Sequence, residues 1–408
     1  MPPTLSPTSK EAIDRMLAEA VFSKSMPALF FGVTTAEGPI YMHTEGTKLV
    51  DDPASGAIDE DTVYYLASQT KLVTSIAALQ LLEQGKITLD TLAEDVLPEL
   101  ANPVIVTGHD EQGNPITIPA QGKITFGQLL NHTSGLDSSA AKKTAHGMSE
   151  VYSHCGADLA TYFDVLKDSL PGVPLKFEPG SDFVYGFSSD CVGFIVEKLS
   201  GKSLDQYFKD HIFSPLGITS ASFYLTPVMK ARLLPRAYRN KDGVLERWKG
   251  PPPFEEDPAK LQMNYGGMGL YASQKDYLTL LRHLLQIKAD TLTAATPILS
   301  PASVEALFTP TLSAAGAASL SQFLQLPPGS VQYTCGFFVT ITDFPGIRKK
   351  GTGAWGGAAH TNFFIDPTTG VAGILATQLE PRADKTHFRL CLAVEKELYA
   401  GLNVGDQA

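Results

Sequence analysis

Residues Tyr65–Asp90 read YLASQTKLVTSIAALQLLEQGKITLD. From Leu72 to Leu82 nearly every residue is apolar, and Gly85 stands where a helix C-cap is wanted. Such a run predicts a helix buried on most sides. Ser68 and Lys71 open it with the spacing S-x-x-K. At i and i+3 the Lys71 amine stands one turn above the serine hydroxyl. Burial and the positive end of the helix dipole both disfavour a charged amine, which predicts a neutral Lys71 near pH 7. A neutral amine takes the serine proton and prepares the hydroxyl for acyl transfer. The spacing alone also fits an ordinary helix start, with a capping serine and a solvated lysine. The apolar helix that follows weighs toward the chemistry.

Bulk properties narrow the field. A chain of 408 residues, 43% hydrophobic and 18% charged, can bury one large core or two closely packed subdomains. A net charge of −11 argues against a nucleic-acid partner, because phosphate binding needs clustered Lys and Arg. The opening MPPTLSPTSKEAIDRMLAEA has no basic leader and no long apolar run, so no secretory signal is expected. Nor is a membrane span, since no uninterrupted apolar stretch of about 18 residues occurs. Cys155, Cys191, Cys335 and Cys391 lie far apart without C-x-x-C spacing. A zinc site or disulfide framework is not expected, and free thiols in a reducing, cytoplasmic setting are. Cys155 follows His154, but adjacency in sequence is weak evidence for a thiolate pair.

Strand signals sit at both ends of the chain. An opening helix is predicted from the capping-box spacing of Thr8 and Glu11, with Ile13, Met16, Leu17, Ala20 and Val21 on one face. ALFFGV and PIYMH flank a turn containing Gly38 and read as a hairpin. From about residue 60 to about residue 300 the pattern is mostly helix and loop. CGFFVTIT, TNFFID and GVAGILATQ restore strand character, the last two around the turn PTTG. A last helix covers roughly 385–400, with Phe388, Cys391, Leu392 and Tyr399 on one face. Residues 311–330, rich in small side chains, read as a flexible loop or lid. The two ends are therefore expected to pair into one antiparallel sheet under the first and last helices. This is an α/β (α+β) domain over residues 1–408, with a sheet subdomain at about 1–60 and 300–408 and a helical subdomain at about 61–299.

Gly351, Gly353 and Gly356 spell G-x-G-x-x-G. A dinucleotide site needs a strand before such glycines and a helix after them. Here a strand-like run follows, and only about fifty residues remain. The glycines are better read as letting a strand edge approach something closely.

Further stretches join the first. KITFGQLLNHTSGL leads into a turn at Ser134 and Gly135. FEPGSDFVYGFSSDCVGFIVEKLSG sets Tyr185 after a turn and before a helix carrying Val192, Ile195 and Val196. The order S-x-x-K, H-T-S-G-L, P-G-x-x-x-x-Y and a late W-G-G strand resembles that of the class C β-lactamase-like serine hydrolases, over roughly Leu66 to Pro381. VYG at the tyrosine, RKKG before the glycine-rich strand and QLEP at 378–381 resemble the fungal transesterases of lovastatin biosynthesis and related fungal esterases. The resemblance implies the β-lactamase/transpeptidase-like fold. It makes Ser68 the acylated nucleophile, Lys71 its base and Tyr185 the group relaying a proton to the leaving oxygen. From the residues alone, Tyr185 also fits a core aromatic with a satisfied hydroxyl. Trp355, Gly356 and Gly357 become the third motif, lining one wall of the site. The backbone N–H groups of Ser68 and Ala358 become the oxyanion donors, each worth a few kcal/mol in the transition state.

Two departures bear on the substrate. Lysine opens the third motif in β-lactamases and cell-wall peptidases, and here Trp355 stands there. Their tyrosine motif is Y-x-N, and here it is Tyr185-Gly186-Phe187, with Phe187 in place of the amide. Both changes favour an uncharged, hydrophobic ester or thioester over a β-lactam or peptide. The expected partners are such an ester or its alcohol, with an acyl carrier protein or acyl-CoA as donor. No metal or organic cofactor is implied. The acceptor is water in an esterase or lactonase and an alcohol in a transesterase. Residues 137–175, 225–262 and 311–330 are the candidate pocket segments.

GFSSD at 186–190 fits a nucleophile elbow poorly, because Asp190 occupies the last glycine place and no parallel βα repeat surrounds it. Ser188 is read as a helix cap, His132 as fixing a turn through its ring hydrogen bonds, and His360 as either a ligand contact or an exposed strand-edge residue. Lys349 and Lys350 are read as solvated, with Lys350 near the cleft rim as the other option. A catalytically silent binding protein is the rival function, but such a protein would be expected to lose Ser68, Lys71 or Tyr185, and all three are present.

Overall fold

The computed structural model describes residues 2–403 apart from 140–141, 145–147, 155–157, 256, 258, 262 and 293–295, and apart from the side chains of 153–154. Cys155 and His154 therefore fall outside the described residues or side chains. Seven strands form the central sheet: β1 (Leu29–Thr34), β2 (Pro39–Glu45), β3 (Val331–Tyr333), β4 (Phe338–Thr340), β5 (Gly353–Gly357), β6 (Thr361–Asp366) and β7 (Val371–Ala376). The helices that frame the site are α1 (Pro7–Phe22), α2 (Thr70–Glu83), α3 (Ser188–Ser200), α4 (Gln274–Lys288), α5 (Ala314–Leu324) and α6 (Lys385–Gly401).

The sheet order is β3-β4-β5-β6-β7-β1-β2, antiparallel throughout. The two ends of the chain meet where β7 pairs with β1, Ala372 opposite Thr34 and Ala376 opposite Phe30. Alternation along β6 sorts its side chains into two layers. Asn362 and Asp366 face α6, where Asn362 reaches the Cys391 thiol and Asp366 accepts from the Tyr399 hydroxyl at 2.8 Å. Phe363 faces the other way, onto Tyr277 of α4. The sheet thus lies between α1 and α6 on one side and α4 on the other.

Helix α2 is buried from Thr70 to Leu81 without a break. Its Leu72, Val73, Ile76, Leu79 and Leu81 are each at most 3% exposed. Burying such side chains contributes about 1.5–3 kcal/mol apiece. The helix is a rod fixed in the core, and what stands at its start is fixed with it. Gly85 follows with φ +66°, the left-handed conformation of a terminating glycine.

Several local expectations are corrected. Helix α1 is capped by Ser6, which accepts from the Ser9 amide, with Pro7 in the first turn, not by Thr8. Proline fixes φ for a first turn and lacks the donor that would be orphaned there, so it sets the boundary. Residues 314–324 form helix α5, capped by Ser313, where a flexible loop was expected. Alanine is the best helix former, and small size was misread as mobility. The middle of the chain holds hairpins that its polar turns concealed, Val104–His109 with Pro115–Pro119 and Ala237–Arg239 with Leu245–Arg247. In α6 the inward residues are His387, Val394 and Leu398, whereas Phe388 and Leu392 are 52% and 44% exposed. Among the described residues no helix is long and apolar enough to cross a membrane.

Candidate active site

Ser68 lies in a tight turn, Ala67–Gln69, that runs straight into α2. Ala67 holds φ +46°, a left-handed conformation that costs a non-glycine residue of order 1–3 kcal/mol and persists only where its surroundings impose it. They do so here: the Thr70 hydroxyl donates to the Ala67 carbonyl at 2.7 Å and accepts from the Leu270 amide at 3.1 Å.

The Lys71 ammonium nitrogen is 3.4 Å from Ser68 Oγ and 2.7 Å from the Gly267 carbonyl oxygen. It also stands 4.6 Å from the centre of the Tyr185 ring, within reach of its negative face. On the far side of Tyr185, the indole Nε1–H of Trp355 donates to the phenolic oxygen at 3.3 Å. His132 packs against the same ring at a tilt, its centroid 4.9 Å away.

The turn after β5 closes the arrangement. Gly357 lies against the chain just before Ser68, where an added Cβ would overlap the Leu66 carbonyl oxygen. The Thr361 hydroxyl donates to that same oxygen. Glycine at 357 is what lets Ala358 come up beside Ser68. Ser68, Tyr185, Trp355, Gly356, Gly357 and Ala358 all line one cavity of about 520 Å³. Most of its remaining lining is apolar: Phe323, Leu324 and Leu326 of 311–330, then Phe338, Phe364, Phe388 and Leu392. Phe323 is half exposed and roofs both aromatic rings, 5.3 Å from Tyr185 and 6.5 Å from Trp355.

This geometry fits acyl transfer. A hydroxyl touches an amine, a phenol stands beside both, and two backbone segments face the same space. The fold and its chemistry have known counterparts, because a model of the family described as Beta-lactamase matches residues 13–394. The chain belongs to the beta-lactamase family. Its relatives include acyl-transferring and ester-cleaving enzymes. A monacolin J acid methylbutanoyltransferase of Aspergillus terreus is 32% identical, over 85% of this chain and 84% of that one. A lovastatin esterase of Penicillium rubens is also 32% identical, over 78% of this chain and 80% of its own. Among solved structures, unliganded simvastatin synthase from Aspergillus terreus superposes with a TM-score of 0.80 at 27% identity, covering 99% of this chain and 100% of that one. This family member is accordingly a serine hydrolase or acyltransferase.

Other expected site residues stand elsewhere. Phe187 is fully buried before α3, against Tyr152 and Tyr162, and does not line the cavity. His360 is 3% exposed; its Nε2 lies 3.3 Å from the Pro381 carbonyl oxygen and its ring packs at a tilt against His387. Ser188 caps nothing with its side chain but bonds Ser134 at 2.8 Å. His132 holds a left-handed φ of +60°, and its ring has one hydrogen-bond contact, Nε2 to Ser189 Oγ at 3.4 Å. Burial and then the Lys71 charge hold its pKa well below the usual range, so it stays neutral. Lys349 pairs with Asp343.

The sequence reading missed two contributors. One is the wall from α6: none of the cavity's described lining comes from 137–175 or 225–262, whereas Phe388, Cys391, Leu392 and Glu395 take part. The other is Asp190, read only as spoiling an elbow motif. It is 1% exposed, accepts from the Gly267 amide at 2.7 Å and from the Tyr152 hydroxyl at 2.8 Å. The signal was available, since an acid one turn into an apolar helix needs buried partners.

Proposed function

We propose that Ser68 carries the acyl group, with Lys71 and Tyr185 as the proton-transfer pair. The observation that carries this reading is the convergence of Ser68 Oγ, Lys71 Nζ and the Tyr185 ring on one apolar cavity. Ser68 Oγ attacks the ester or thioester carbonyl and gives its proton to the Lys71–Tyr185 pair. The developing oxyanion takes hydrogen bonds from the Ser68 and Ala358 amides. Tyr185, oriented by Trp355, returns a proton to the leaving oxygen or sulfur. An acceptor then attacks acyl-Ser68 by the same steps in reverse. The cleft in this reading lies between the sheet subdomain (about 1–60 and 300–408) and the helical subdomain (about 61–299).

The substrate class follows from the lining. Trp355, Phe323, Phe338, Phe388 and Leu392 offer an apolar surface. The acyl donor is a hydrophobic ester or thioester, the latter carried on an acyl carrier protein or coenzyme A. The acceptor is the alcohol of a polyketide-like secondary metabolite, the kind of reaction named for the methylbutanoyltransferase relative. A cytoplasmic location is in keeping with the free thiols of Cys191, Cys335 and Cys391.

The test is product partition. A short branched acyl thioester is mixed with the protein, with and without a panel of hydrophobic alcohols, and free acid and new ester are quantified against Ser68→Ala. New ester at the expense of acid is the expected result. Acid alone, indifferent to every alcohol, would make water the acceptor and the protein an esterase like the Penicillium rubens relative.

A further inference from the structure

The carbonyl that holds Lys71 belongs to a loop gripped from three sides. The Gly266–Gly267 peptide has its oxygen bonded by the Thr74 hydroxyl at 2.7 Å and its N–H bonded by Asp190 at 2.7 Å. The next carbonyl, that of Gly267, accepts from Lys71 at 2.7 Å. Gly267 is the pivot between the two peptides, and a Cβ there would stand 2.8 Å from the Asp190 carboxylate. Absence of a side chain is what lets the acid reach the amide. In the Y-x-N pattern of β-lactamases an amide side chain follows the tyrosine. Phe187 stands in that place here, turned into the core.

We infer that Asp190 is a positioning residue, which fixes the Lys71 amine through the Gly267 backbone. The inference rests on the Ser68–Lys71–Tyr185 reading above. One six-residue segment, Tyr185 to Asp190, then supplies both the phenol and the group that aims the lysine. The groups facing Lys71 are Ser68, Tyr185, His132 and, behind the glycine loop, Asp190. Those facing Asp190 are Tyr152, Tyr162, Cys191 and Lys71.

The experiment is the pH profile of kcat/KM on p-nitrophenyl butyrate for wild type, Asp190→Asn and Tyr152→Phe, with melting temperatures and a Ser68→Ala blank. Asp190→Asn is expected to lower the plateau about 10- to 100-fold, because small misplacements of a catalytic group cost that much. KM should stay within about twofold. Tyr152→Phe, which removes only one donor to the carboxylate, should shift rates less and serves if the asparagine variant does not fold. A plateau within about twofold of wild type would overturn the inference, as would activity lost only in step with melting temperature. A wild type that never acylates would instead overturn the catalytic reading itself.

Discussion

The indole N–H of Trp355 donates to the phenolic oxygen of Tyr185 across 3.3 Å, and the two rings lie 5.2 Å apart. In the proposed mechanism the third motif thus does more than line a wall: it orients Tyr185 for proton transfer. Tyr185→Phe is expected to lower kcat about 10²- to 10⁴-fold, the usual loss for a proton-transfer group. Trp355→Phe keeps the aromatic contacts with Phe323 and Tyr333 but removes the donor, and a smaller fall, about tenfold, is expected. Steady-state kinetics on both variants check the ranking; a harmless Tyr185→Phe would reduce the tyrosine to packing.

Ser68→Ala should leave folding intact and abolish turnover. Intact-mass spectrometry after mixing with an activated ester should detect one acyl adduct on wild type and none on the variant. An adduct that survives the substitution would move the nucleophile elsewhere.

The α6 wall makes its own prediction. Leu392 is 44% exposed and faces the cavity, so tryptophan there narrows the space without disturbing the buried side of the helix. Leu392→Trp should lower kcat/KM for bulky esters about tenfold or more and leave a short acetate ester within about twofold. Equal effects on both would mean that substrate never reaches α6.

Stability should depend on pH through buried histidines. Burial is the first cause holding His132 and His387 well below the usual imidazole range, followed by Lys71 for the former and His360 for the latter. Above about pH 6.5 both are neutral in the folded and unfolded chains and contribute nothing to the pH slope. Below it the unfolded chain takes up protons that the folded one refuses, so stability falls by about 2.7 kcal/mol per pH unit for the two. Asp190 and Glu197, whose pKa values burial raises, oppose this only where they begin to protonate in the folded state. Urea midpoints at pH 7, 6 and 5 should fall steadily; a flat series would contradict the neutral assignment.

What could be read along the chain was whatever depends on neighbours. The mostly apolar run from Leu72 to Leu82 pointed to a buried helix, because it is too long for a strand and too apolar for a surface helix. The apolar strands at the two ends, Leu29–Thr34 and Val371–Ala376, required cover on both faces, in keeping with the central place they take in one antiparallel sheet. The stretches around Ser68, Lys71 and Tyr185 and the glycine strand stood out because each motif is local, and their order resembles that of a known family.

What tertiary structure alone decided was who meets whom. Phe187 and His360 sit beside site residues in sequence, yet the turn of α3 and the bend after β5 aim both into the core. Phe388 and Leu392 are far away in sequence but reach the cavity, since α6 crosses the sheet face that carries the glycine strand. Asp190 accepts from the Gly267 amide across 77 residues, and the Gly267 carbonyl accepts from Lys71. A sequence fixes periodicity and local turns, whereas a buried carboxylate finds its donors only when separate elements have packed around it.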